Sequence, residues 1–475
     1  MNAMSTREYD LVVIGAGPVG ENVADRATQG GLSVVIVESE LVGGECSYWA
    51  CMPSKALLRA GSALRAARDV EGAAQAVTGT VDVAATLKRR DAVVHEWNDS
   101  SQAEWLASAG IDLVRGHGRM TAEREIAVAH ADGTETTLRA RHAVAIATGT
   151  AALLPDIPGL RDAQPWTSRE ATGVREVPAS LAILGGGVVG SEMATLFSSF
   201  GTQVTVIARS GLLGGVEPFA GEAVARALTD AGADVRTGVQ VERVERDDAG
   251  QVVLALSDGS EVRADEILVA TGRVPRTGDV GLEHVGGEPG AWLDVDDTLR
   301  VRGFDWLYAV GDVNHRVLLT HQGKYQARAA GDVIAVRARG GDVDDRPWGK
   351  HVATADHSAV PQVVFTEPEV ASVGHTEASA RQAGIGIRVL DYDLSWVAGA
   401  STHADHYRGQ ARAIVDEQRQ VMIGATFVGP DVAELLHAAT VAIVGEVPMD
   451  RLWHAVPSYP TLSEVWLRWL EAWGR

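Results

Sequence analysis

One pattern in this chain is written twice. Tyr9-Asp-Leu-Val-Val-Ile14 is an apolar run that enters Gly15-Ala-Gly17-Pro-Val-Gly20, and after an alanine-containing segment and Gly30-Gly-Leu-Ser33 a second apolar run, residues 34–37, ends at Glu38. Leu181-Ala-Ile-Leu184 leads in the same way into Gly185-Gly-Gly187-Val-Val-Gly190, a segment through Phe200 and Gly201, and the run 204–207. Each copy predicts strand, tight glycine loop, helix and strand, a unit that demands a parallel sheet with crossover helices. A lone G-x-G-x-x-G in a chain with 52 glycines carries little weight, but here each copy stands in the context the motif requires. Glycine lets the backbone turn tightly and approach a pyrophosphate, whose charge then meets free N–H groups at the start of the helix. Two units predict two dinucleotide sites.

The residue ending each second strand reads out which dinucleotides. Glu38 lies 23 positions after Gly15, where an acid accepts hydrogen bonds from ribose hydroxyls, so the first site suits a cofactor with a free 2′-OH. The same offset from Gly185 falls on Ala208, followed by Arg209. Without the acid there is no repulsion of a 2′-phosphate, and a guanidinium meets one with charge-assisted hydrogen bonds, so the second site suits NADPH.

Composition narrows the class further. A chain of 475 residues with 46% hydrophobic and 22% charged residues has the length for about three domains and the apolar content to fill them. Its 42 Lys and Arg against 63 Asp and Glu give a net charge of −21, which argues against a nucleic-acid partner. The apolar runs fall short of the roughly 20 residues that cross a bilayer. The N-terminus lacks the basic, apolar and small-residue order of a secretory signal, so a cytoplasmic enzyme acting on small molecules is expected, with no membrane and no metal site. Only two cysteines are present, and in a reducing compartment a close pair is catalytic or metal-binding more often than structural.

Those two stand in Gly43-Gly-Glu-Cys46-Ser-Tyr-Trp-Ala-Cys51-Met-Pro-Ser-Lys55, directly after the first unit. A C-x4-C pair closes a disulfide only where the backbone bends, which the preceding glycines permit. Pro53 suits the first turn of a helix, which places Cys51 near a helix N-terminus that favours a thiolate. Two further strands end in Ala-Thr-Gly, at Thr148-Gly149 and at Gly272, and Leu307-Tyr-Ala-Val precedes Gly311-Asp312. In this order the motifs resemble those of the flavoprotein disulfide reductases, the family of dihydrolipoamide dehydrogenase, glutathione reductase and mercuric reductase.

The resemblance implies FAD in the first site, a nicotinamide cofactor in the second and a homodimer formed by a C-terminal domain. It implies that Cys46 is the interchange thiol and Cys51 the thiol against the flavin. Lys55 is similar to the lysine near flavin N5, and Glu192 to the acid that pairs with it; with only four lysines against 38 arginines, a lysine here stands out. His117-Gly118 resembles the segment beside the FAD adenine. The resulting fold class is α/β, with two Rossmann-like dinucleotide-binding domains for FAD and NADPH and a C-terminal α+β dimerisation domain. The expected boundaries are 1–155 and 277–346 for the two parts of the FAD-binding domain, 156–276 for the NAD(P)H-binding domain and 347–475 for the interface domain, with residues 337–346 as a polar linker.

The chain departs from the family in one place that bears on substrate. The disulfide reductases end with His-Pro-Thr-x-x-Glu, the histidine serving the partner subunit as acid and base; here the segment is Tyr459-Pro-Thr-Leu-Ser-Glu464. Unperturbed Tyr titrates about 3.5 units above His, so Tyr459 is no ordinary base near neutrality, though it donates a hydrogen bond or a proton. Mercuric reductases also carry tyrosine there. Against metal-ion reduction stand the tail Glu471-Ala-Trp-Gly-Arg475, without a cysteine pair, and the expected absence of an N-terminal metal-binding module. The expected activity is therefore electron transfer from NADPH through FAD and Cys46/Cys51 to a small acceptor, a disulfide, with reduction of metal ions, or of quinones or other electrophiles, as alternatives. Tyr48 and Trp49, bulky residues between the cysteines, are expected to pack rather than meet substrate. Trp466, Trp469 and Trp473 are expected to form a core or interface stripe.

Overall fold

The computed structural model describes residues 6–475, which form two compact units. The first comprises residues up to Pro53 together with Asp91–Ala151 and Arg273–His357. Its sheet has seven strands. Ile111–Arg115, Val34–Glu38, Thr6–Ile14 and Glu135–Ile146 run side by side in parallel, Leu307–Ala309 adds in parallel to the far end of Glu135–Ile146, and Glu125–Ala129 and His117–Ala122 continue antiparallel from its near end. Leu11, Val12 and Val13 are fully buried because a parallel strand is covered on both faces, which is why these strands read as unbroken apolar runs.

The helix Pro18–Gln29 leaves the first strand at Gly15 and packs against the helix Thr320–Ala338. Contact is close because the crossing residues are small. A Cβ on Gly331 would stand 2.7 Å from the Val23 carbonyl oxygen, and one on Gly323 would stand 2.6 Å from Val19 Cγ2. The helix runs on to Ala338, with Arg337 donating to the Tyr308 hydroxyl at 2.7 Å, so the polar segment expected from residue 337 begins only after the helix.

The second unit comprises Ser54–Arg90, Ala152–Gly272 and Ser358–Arg475. It holds a parallel sheet in the order Asp234–Thr237, Gln203–Ala208, Ser180–Leu184, Glu266–Val269, and an antiparallel sheet of Val241–Arg246, Val252–Leu256 and Glu261–Ala264. Its C-terminal portion is a five-stranded antiparallel sheet in the order Pro361–Val364, Glu369–Gly374, Val421–Gly429, Gln410–Asp416, Ile387–Asp393. The terminal helix Val465–Trp473 buries Trp469 against Phe427 and Trp466, with ring centroids 5.4 and 5.5 Å apart. No helix among the described residues is long and apolar enough to cross a membrane.

Candidate active site

The two glycine loops exclude a side chain at the same two positions. Gly15 has φ +102° and Gly185 φ +121°, and a Cβ on either would lie 2.5 or 2.3 Å from a carbonyl oxygen of the neighbouring strand end, Ala147 or Ala270. A Cβ on Gly20 or Gly190 would collide with the carbonyl oxygen of Gly15 or Gly185. By contrast, nothing lies within 4 Å of a Cβ built on Gly17 or Gly187, the residues that precede the helices Pro18–Gln29 and Val188–Ser199. Each helix start thus offers free N–H groups beside open space, which fits a pyrophosphate and hence a dinucleotide.

Glu38 closes its own strand as the sequence predicts. Its Oε2 accepts the Ala16 N–H and its Oε1 the Glu40 N–H, both at 2.7 Å, so the acid also holds the glycine loop to the second strand. His117 is exposed, with its Nε2 3.0 Å from the Asp279 carbonyl oxygen, and Gly118 is buried against Val37. Thr148 donates to the Arg276 carbonyl at 2.7 Å, and Gly149 has φ +69° with open space where its Cβ would be. In the second unit Gly272 is exposed, and Arg209 is exposed just beyond the buried Ala208.

Gly311-Asp312 is held from beneath. The Gln326 Oε1 accepts the Gly311 N–H at 2.9 Å and Asn314 Nδ2 at 2.8 Å, and its amide donates to Asp356, which also takes Gln322. Asp312 accepts from the Thr150 hydroxyl at 2.7 Å, and burial pushes its carboxyl up from the ordinary range.

Cys46 lies in the short helix Gly44–Tyr48, and Cys51 opens the helix Cys51–Arg68. Both are half-buried thiols, hydrogen-bonded to each other. That bond and burial raise the Cys46 thiol far above the usual cysteine range. Cys51 Sγ is 3.3 Å from the Thr320 hydroxyl. Tyr48 is buried, as expected, and its hydroxyl is bound to Gln102, whose amide reaches Ser47 at 3.2 Å; this clamp holds the cysteine segment to the helix Ser100–Ser108. Trp49 is half-buried, edge-on to Tyr48.

Lys55 lies one turn beyond Cys51 on the same helix. Its Nζ donates to both oxygens of the buried Glu192, at 3.0 and 2.8 Å, and Glu192 Oε1 also accepts the Phe365 N–H at 3.0 Å. A carboxylate in the apolar stretch of Val188–Ser199 is tolerable because these donors meet it. Tyr459 is 77% exposed, while Glu464 is buried, with Oε2 lacking a hydrogen-bond partner among the described residues and Arg468 3.6 Å from Oε1.

Residues 9–328 match the family described as pyridine nucleotide-disulphide oxidoreductase, and residues 360–469 match its dimerisation domain. The chain belongs to this family. It is 31% identical to a mercuric reductase of Staphylococcus aureus over 96% of this chain and 81% of that one, and 33% identical to a dihydrolipoyl dehydrogenase of Haloferax volcanii over 96% and 94%. Among solved structures it is similar to the HOCl-induced flavoprotein disulfide reductase RclA of Escherichia coli in its Cu(II) complex, with a TM-score of 0.83 and 25% identity, covering 98% of this chain and 99% of that one.

As a member of the pyridine nucleotide-disulphide oxidoreductases the chain is an oxidoreductase that uses FAD and a pyridine nucleotide, and the glycine loops supply the room and the amides such groups need. Its dimerisation domain supports a homodimer. That domain exposes Trp396, Val456 and Tyr459 in the single chain. Three residues at this site escaped the sequence reading: Thr320, Gln102 and Phe365. Each reaches its partner from a part of the chain 54 or more positions away, and no short motif carries such a distance.

Proposed function

We propose that the chain is a homodimeric, NADPH-dependent flavoprotein that passes two electrons through Cys46 and Cys51 to a small disulfide. The observation that carries this is the thiol pair itself: two cysteines in hydrogen-bonding contact, one opening a helix, placed directly after the first glycine loop. FAD, when bound, would supply two-electron chemistry between the nicotinamide and the Cys46/Cys51 disulfide. The first glycine loop and Glu38 would hold its pyrophosphate and ribose, and Gly118, Thr148, Gly149, Gly311 and Asp312 would line the rest of it. His117 borders the adenine. Lys55, fixed by Glu192, would place a positive charge near the flavin, where negative charge develops on reduction.

Gly185, Gly187 and Gly190 would hold the nicotinamide cofactor's pyrophosphate, with Gly272 beside it, and the exposed Arg209 would meet a 2′-phosphate. The domain boundaries are 1–155 with 277–346 for FAD, 156–276 for NADPH and 347–475 for the interface. The acceptor meets Cys46 in a site shared across the dimer, with Tyr459 and Glu464 from the second copy, and the enzyme works in the cytoplasm. Anaerobic NADPH should produce a long-wavelength thiolate-to-flavin absorption that disappears in Cys51→Ser; no such band in the unaltered protein would defeat the reading. Arg209→Ala should lower the NADPH-to-NADH ratio of kcat/KM at least tenfold, as expected for loss of a charge-assisted contact.

A second reading, metal-ion reduction, is favoured by Tyr459 and by the relatives named mercuric reductase. Competition assays with a small disulfide and a soft metal ion, both against limiting enzyme, separate the two: the disulfide reading requires the higher kcat/KM for the disulfide.

A further inference from the structure

Phe365 touches the Lys55–Glu192 pair twice. Its backbone N–H donates to Glu192 Oε1 at 3.0 Å, and the Lys55 ammonium nitrogen lies 4.8 Å from the centroid of its ring. The two contacts have different consequences. The amide fixes the carboxylate, and any side chain at position 365 would supply it. The ring acts on the ammonium, and only an aromatic side chain supplies that attraction.

An ammonium carries three N–H donors on a flexible four-carbon stem. Glu192 engages two of them, but a carboxylate alone lets the group pivot about the two oxygens, and the Lys55 side chain is 36% exposed against 5% for Glu192. The ring removes that freedom by attracting the cation from a second direction. What remains is one N–H with no hydrogen-bond partner among the described residues and a fixed origin. Phe365 is half-buried, packed on the apolar cluster that includes Leu57, Leu58 and Phe197, so the ring itself is anchored.

We propose that the Phe365 ring is a positioning group for the Lys55 ammonium, holding its charge and its free N–H in place for the flavin and so setting how readily the flavin is reduced. This rests on Lys55 being the flavin's neighbour, as in the function proposed above. Phe365 is not a catalytic residue, because it acts only through Lys55.

The test uses the FAD-loaded protein in a Cys46→Ser background, where the flavin is the two-electron acceptor, and reads the equilibrium constant for flavin reduction against a reference dye. Phe365→Leu keeps the amide and the packing but removes the π face, and should lower that constant roughly 2- to 30-fold, the span of cation–π strengths from exposed to desolvated pairs. Phe365→Tyr should restore it. In Lys55→Met, itself lowered, adding Phe365→Leu should change nothing further. FAD content and thermal midpoint check that each variant is folded. If Lys55→Met lowers the constant and Phe365→Leu does not, the positioning role is overturned while the place of Lys55 stands. If Lys55→Met leaves the constant unchanged, both fall. An equal Phe365→Leu effect with and without Lys55 also overturns the proposal, because the ring would then act through packing.

Discussion

Cys51 Sγ and Thr320 Oγ1 are 3.3 Å apart, and each residue is the first of its helix, Cys51–Arg68 and Thr320–Ala338. Two helix N-termini therefore converge on one sulfur, with a hydroxyl between them able to donate. Helix N-termini and a hydrogen-bond donor both favour a thiolate over a thiol. Its bond to Cys51 and burial push the Cys46 thiol up, whereas the two helix N-termini favour negative charge at Cys51.

Replacing Thr320 by Val removes the donor and keeps the shape. A hydrogen bond to a charged group contributes about 1.5 kcal/mol or more, which corresponds to roughly one pH unit. In the reduced Thr320→Val enzyme the thiolate-to-flavin absorption should therefore develop about one unit higher in pH, whereas Thr320→Ser should titrate like the unaltered protein. An unshifted titration in Thr320→Val would show that the helix termini alone hold the charge.

Glu38 binds two backbone N–H groups, those of Ala16 in the glycine loop and of Glu40. Truncation to Ala removes the carboxylate proposed for the ribose and frees the loop amide together. We expect Glu38→Ala to weaken FAD binding by roughly ten- to a hundredfold, equivalent to about 1.4–2.8 kcal/mol. Retention of flavin through gel filtration, read by absorbance, checks this. Protection of the second site against proteolysis by a nicotinamide cofactor should be unchanged, because Glu38 and Arg209 belong to separate strand–helix–strand units.

How far the sequence revealed these features depends on how local their causes are. Gly15, Gly20, Gly185 and Gly190 were legible because a backbone turn that excludes Cβ leaves only one residue type, and the requirement is met within six positions. Glu38 was legible from a fixed offset along one strand–helix–strand unit. The end of the helix Thr320–Ala338 was not, because a cluster of arginines and glycines reads as linker, and the Tyr308 hydroxyl that Arg337 reaches lies 29 positions away. Thr320, Gln102 and Phe365 were hidden for the same reason: their roles arise from tertiary approach, and their residue types are unremarkable along the chain.

Glu21 is a second such case and gives a pH dependence with a definite sign. It sits in the first turn of Pro18–Gln29, with a buried Oε1 that has no hydrogen-bond partner among the described residues. Burial pushes its carboxyl up to about 7, Glu38 adds to the rise, and Lys324 opposes it. In the unfolded chain the group titrates near 4.5, so between about 4.5 and 7 the folded state binds more protons than the unfolded one. The stability this site contributes is complete below pH 4.5 and is lost as pH rises to 7, at most about 3 kcal/mol. The thermal midpoint of Glu21→Gln relative to the unaltered protein should therefore climb across that window and level off above it. A difference that stays constant from pH 4.5 to 8 would mean that Glu21 is ionised throughout.

The buried Glu464 offers the most direct test of what the exchange of histidine for Tyr459 has done. Its Oε2 has no hydrogen-bond partner among the described residues, and an unpaired buried acceptor is costly; in the family pattern this glutamate orients a histidine at the place of Tyr459, so a donor put there is expected to meet it. An imidazole N–H would use it and leave the other ring nitrogen free to exchange a proton near neutrality, which a phenol does not do. Tyr459→His should accordingly raise kcat/KM for a small disulfide at least tenfold, within the range that general acid–base groups contribute, with a new ionisation near pH 6.5 in the profile. The gain should vanish in Tyr459→His combined with Glu464→Gln. If Tyr459→His leaves both the rate and its pH profile unchanged, the proton for the Cys46 thiol comes from elsewhere and Tyr459 has no part in the exchange.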